Sequence, residues 1–88
     1  MQEIPKIQPV KIIVNQEYEE RGSKSYTLEL TCLKCSKVYE YTKFSTPPTE
    51  GSPEEPKIEV LRNIRQTVLL MHFTDNRCNG PFSDREIS

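Results

Sequence analysis

The residues best able to grip a soft metal ion stand in two close pairs, and they constrain the fold more than any other feature. Cys32 and Cys35 are separated by two residues, His72 and Cys78 by five. Together they are all three cysteines and the only histidine in the chain. An odd number of cysteines cannot pair off completely within one chain, and closely spaced cysteines in a reducing compartment read as metal ligands or redox groups. Zinc takes four soft or borderline ligands in a tetrahedron, and Cys3His is a common structural set. The sequence therefore predicts one structural Zn2+ ion on Cys32, Cys35, His72 and Cys78. A two-residue gap lets a tight turn aim both sulfurs at one ion. A closed set of four leaves no open position for water, which points to a structural ion rather than a hydrolytic one.

Other readings of these residues stay open. Cys-x-x-Cys can be a redox pair, but that motif normally opens a helix in a βαβ setting. The cysteines can also be incidental core residues, with His72 packed on a helix. An iron–sulfur site would more usually want four cysteines.

A chain of 88 residues is one small domain at most, and such domains often lean on a metal, disulfides or a partner. Only 34% of the residues are hydrophobic, and the mean hydropathy is −0.68. Cross-linking by an ion is thus a physical expectation for so polar a chain. The N-terminus lacks a basic segment followed by a long apolar run, so no secretory signal is read there. The longest apolar stretch, residues 68–71, is far too short to cross a bilayer. The expectation is a soluble, intracellular protein, cytoplasmic in location.

Along the chain, residues 1–9 are polar with two prolines and read as a loose lead-in. Residues 10–18 begin with the β-branched run VKIIV and read as a strand. In residues 24–32, Tyr26, Leu28, Leu30 and Cys32 alternate with polar residues, the pattern of a half-buried strand. Residues 37–44 are aromatic and β-branched, which favours a third strand joined to the second as a hairpin with CLKC at its tip. Residues 45–56 hold four prolines and a glycine and read as an exposed loop. Residues 57–73 place Ile58, Leu61, Ile64, Val68 and Met71 at helical spacing, although residues 68–73 also suit a strand. The tail, residues 83–88, reads as frayed. The fold class expected is α+β: a small three-stranded antiparallel sheet, one C-terminal helix and the zinc at one end. Leu28, Leu30, Val38, Leu61, Ile64, Val68 and Met71 are the expected core, joined by Ile12.

The run Cys32-Leu33-Lys34-Cys35 within a hairpin, over residues 26–44, resembles the zinc knuckle of zinc-ribbon-type domains. It departs from that pattern in having Ser36 and Lys37 where a glycine commonly follows. Its second half is His-x5-Cys beside a helix rather than another knuckle. The resemblance implies either a protein-binding adaptor or a role in nucleic-acid transactions.

A catalytic reading needs a nucleophile and a base, and the one Cys–His pair, Cys78 with His72, is consumed if both ligate zinc. The chain is therefore expected not to be an enzyme. A nucleic-acid reading rests on Lys34, Lys37 and Lys43 near the hairpin, Tyr39 and Tyr41 as stacking candidates, and Arg62 and Arg65 on the helix. The net charge of −1 tells against it. The expectation is a binding module whose partner is another protein, through a strand edge or a loop, with nucleic acid as the alternative. Asp75 is a candidate to hold the second ring nitrogen of His72.

Overall fold

A computed structural model describes residues 9–87. Most of the lead-in expected over residues 1–9 therefore lies outside the described residues. The elements are β1 (Val10–Val14), α1 (Gln16–Glu20), β2 (Ser25–Cys32), β3 (Val38–Phe44), α2 (Lys57–Asn76) and β4 (Phe82–Glu86). The architecture is α+β, with one long helix on a four-stranded mixed sheet of order β1-β3-β2-β4.

The sheet departs from the expected three antiparallel strands in two ways. First, β1 ends at Val14 rather than near residue 18. Asn15 adopts the left-handed conformation (φ 67°), which Asn tolerates better than most residues, and the charged run after it closes a single helical turn. The chain then turns at Gly22, also at positive φ, and enters β2 with β3 lying between β1 and β2. As a result β1 runs parallel to β3, while β2 and β3 form the expected antiparallel hairpin.

Second, the expected frayed tail holds a fourth strand, β4, antiparallel to β2. Only Phe82 offers it apolar anchorage. The rest is polar: Asp84 takes Arg65 of α2, Glu86 takes Lys57 at 3.1 Å, and Arg85 takes Glu29 of β2 at 3.2 Å. Such exposed pairs are worth at most about 1 kcal/mol each. The strand therefore rests on its backbone ladder and Phe82 as much as on charge.

Inward-facing residues line up across the strands. Ile12, Tyr41 and Leu28 form one row and Tyr39 and Leu30 the next. Above them α2 lays Val60, Leu61, Ile64 and Val68, completing the buried cluster. Each fully buried side chain of this size contributes roughly 1.5–3 kcal/mol. Ile12 and Met71 sit at the margin, half-buried. Val38 is a correction: it pairs with Thr31 on the opposite face and is only half-buried, while Tyr39 and Tyr41 turn inward. A shift of one residue exchanges the faces of a strand, and the clustered apolar residues of β3 leave that parity ambiguous. On the opposite face the register aligns Lys11, Glu40, Glu29 and Arg85 across all four strands. The two cations flank the two facing glutamates, Lys11 at 4.0 Å from Glu40.

Residues 45–56 are more ordered than a bare Pro-rich loop. The buried Ser45 hydroxyl reaches the Lys24 carbonyl and the Glu54 carboxylate. Thr46 and Glu55 close the base, and Thr49 and Ser52 bridge a tight turn containing Gly51 at positive φ. The extended Pro56 then leads straight into α2. The helix continues to Asn76, so residues 68–73 are helical and not a strand. It stops where Arg77 turns left-handed (φ 55°) and donates its N–H to Phe73. No helix among the described residues is long and apolar enough to cross a membrane.

Candidate metal centre

The end of β2, the turn after it, the last turns of α2 and the loop before β4 meet at one end of the sheet. Cys32 is the final residue of β2, with only 1% of its surface exposed. Its N–H donates to the Lys37 carbonyl and its carbonyl accepts from Ser36. Its sulfur lies 3.4 Å from the Cys35 backbone N–H. These contacts form the knuckle. The tight turn needs a left-handed residue, and Ser36 supplies it at φ 65° where a glycine would do so without strain. Ser36→Gly is thus expected to stabilise the fold by about 0.5–1 kcal/mol and Ser36→Val to destabilise it. Thermal unfolding of the two variants beside the wild type checks the order.

The knuckle is stapled to the other half of the centre. Leu33 donates its N–H to the Pro81 carbonyl at 2.8 Å, which holds the Cys78 loop alongside. Gly80 in that loop has φ 79°, and a Cβ there would stand 3.2 Å from Phe82 atoms, so a larger residue would be strained. His72, wholly buried, projects inward from α2.

All four expected residues come together. The Cys32 and Cys78 sulfurs lie 3.6 Å apart, Cys35 Sγ lies 3.3 Å from His72 Nε2, and the four donor atoms all fall within 4.8 Å of one another. A tetrahedron with metal–sulfur bonds near 2.3 Å and a metal–nitrogen bond near 2.0 Å has edges of about 3.5–3.8 Å. The spacing therefore suits one small ion, and the cluster can hold a metal. The three thiols are free, and 3.6 Å is far beyond a disulfide of about 2.05 Å.

With Nε2 facing the sulfurs, the other ring nitrogen sets the imidazole's orientation. His72 Nδ1 lies 3.1 Å from the Tyr39 hydroxyl and 3.2 Å from the Asn76 side-chain amide. Asp75, the expected partner, is exposed; the Tyr39 hydroxyl, which can accept from Nδ1–H, holds that nitrogen instead. The ring is also boxed by Tyr39 and Phe82, both edge-on, at centroid distances of 5.7 and 5.1 Å. Lys37 lies over the Tyr39 ring at 5.5 Å.

The thiols differ in acidity. Burial pushes the Cys32 thiol up, but backbone N–H groups of Cys35 and Lys34 and the neighbouring thiols outweigh it and bring it down to about 6. The Lys37 N–H pulls Cys35 down, yet desolvation and the charges of Cys32 and Cys78 prevail and raise it.

The nucleic-acid candidates fare differently from the four clustered residues. Tyr39 and Tyr41 are buried in the core and offer no stacking face. Arg62 and Arg65 are paired with Glu59 and Asp84. Sequence reasoning missed the role of Phe82 altogether. Tyr39 could have been found, since the hairpin register sets it opposite Leu30, two residues before Cys32.

The fold and site together define a small α+β chain with a Cys3His cluster competent to hold a metal. No family model, no curated protein and no solved structure matches the chain.

Proposed function

We propose that this chain is a non-catalytic, zinc-stabilised module that binds another protein, its ion held by Cys32, Cys35, His72 and Cys78. The observation that carries the reading is the convergence of four donor atoms from separate segments to within 4.8 Å of one another. Three thiolates and an imidazole are the soft and borderline donors that suit zinc. A complete donor set makes the ion a cross-link. The buried tyrosines and the net charge of −1 favour a protein partner over nucleic acid. Free thiols at this spacing suit a reducing, intracellular compartment.

Purified protein is expected to carry about one zinc per chain, since there are donors for one closed site. Cobalt exchanged into it should give the absorption of tetrahedral, sulfur-rich coordination. Well-folded, metal-free protein with three freely reactive thiols would overturn the assignment. A mobility shift on mixed-sequence DNA or RNA that weakens with salt would move the partner to nucleic acid.

A further inference from the structure

The outer side of α2 near its C-terminal end is unusually apolar. Leu69, Leu70 and Phe73 are 42%, 68% and 45% exposed. With Gln66 and Asn79 they line a hollow of about 380 Å3. Leu69 and Asn79 also line a second hollow of about 320 Å3, which reaches Leu30, Pro81 and Phe82. The two adjoin at Leu69 and Asn79, and the second reaches the start of β4.

Beside the hollows runs a strand edge with unused hydrogen-bonding groups. Among the described residues, β4 pairs with β2 alone. Leu33 donates to Pro81 and Ile87 donates to Thr27, so the odd-numbered residues of this segment bond toward β2. Alternation in an antiparallel ladder then turns the N–H and C=O groups of Phe82, Asp84 and Glu86 outward. Phe82 and Asp84 also line the second hollow, so edge and hollow form one surface. On the helix side, Arg62 is paired with Glu59 and Arg65 with Asp84, so the charges along this rim are already balanced.

We propose that this surface docks an extended segment of a partner protein, which adds as a strand to β4 and inserts a large apolar side chain beside Leu69. An extended segment uses the outward backbone groups of β4, which a docked helix would leave unmatched. The inference rests on the reading of the chain as a zinc-held interaction module. Asn79 follows the ligand Cys78 and lines both hollows, so the ion that fixes Cys78 also fixes a wall of each.

The test starts from a displayed library of random linear peptides selected on the zinc-loaded chain. The strongest synthetic peptide is then titrated into isotope-labelled protein. Selected peptides should share a large apolar residue. The amide signals of Phe82, Asp84, Glu86 and Leu69 should shift most. Leu69→Asp should weaken binding about tenfold to a hundredfold, the loss expected for one buried apolar side chain, with zinc content unchanged. Selection of no peptide overturns the proposal, as does a Leu69→Asp variant that binds as tightly as the wild type. It is equally overturned by a helical bound peptide that leaves β4 unshifted, or by sedimentation showing a second copy of the chain seated in the hollows. Zinc analysis of the same sample separates the two failures. Zinc without a selected peptide sinks the docking surface alone, whereas protein without zinc sinks the metal reading.

Discussion

Stripping the ion is expected to unfold the chain. The donors come from the end of β2, the knuckle, α2 and the Cys78 loop, so global unfolding must break the site and metal-binding free energy becomes folding free energy. A small polar chain has little else to fall back on, against the roughly 5–15 kcal/mol typical of domains. Cys78→Ser and His72→Ala should each cost several kcal/mol and lower the melting midpoint in the metal-loaded state. His72→Cys keeps a zinc donor but should still destabilise, because a smaller side chain leaves a void between Tyr39 and Phe82. Acid should act in the same direction. The raised Cys35 thiol is protonated at neutral pH in the metal-free chain, so binding must expel that proton. Affinity therefore rises with pH and falls as pH drops, more steeply once Cys32 protonates below about 6. Thermal unfolding with and without chelator, across pH, is the measurement. An unmoved wild-type midpoint after metal removal, or Cys78→Ser melting like wild type, would contradict the assignment.

Tyr39→Ala should be nearly as damaging, by a different route. Tyr39 is 1% exposed, packs among the residues under α2, and meets His72 and Phe82 edge-on. Truncating a buried aromatic of this kind costs about 3–5 kcal/mol. Tyr39→Phe separates the polar part from the packing. It keeps the ring and removes the hydroxyl that can accept from His72 Nδ1–H. The fold should lose about 1 kcal/mol, while metal affinity falls about tenfold or more through the loosened imidazole. Unfolding curves and a competitive zinc titration on the two variants separate these effects. If Tyr39→Phe binds zinc as tightly as the wild type, the hydroxyl does not tune the ligand.

What the sequence made legible was chemistry with few alternatives. Cys32, Cys35, His72 and Cys78 could be grouped because no other cysteine or histidine competes. The helix could be read because its apolar spacing persists beyond what a strand allows. The two misread strands failed for separate reasons. The parallel pairing of β1 depends on how the chain crosses through α1 and Gly22, a long-range fact with no local signature. The polar β4 is ordered by Phe82, by Arg65 and Lys57 on a distant helix and by a ladder to β2, so its alternation carries almost no hydrophobic signal. Val38 lost its place in the core to Tyr39 because register, rather than apolarity, decides which way a side chain points.

The closeness of the Cys32 and Cys78 sulfurs also has a mechanical meaning. With the ion bound, the 46-residue separation between these two cysteines becomes a closed loop containing β3, the Pro-rich turn and α2. Tension applied at the two chain ends is carried through β1, α1 and β2 on one side and β4 on the other, and crosses at the metal–sulfur bonds. Those flanking elements can be drawn out while the enclosed length stays hidden. At ~3.3–3.6 Å per residue, about 150–165 Å of chain is withheld from extension until a coordination bond ruptures. The ion would thus turn α2 and β3 into a mechanically shielded unit and leave β1, α1, β2 and β4 as the yielding parts.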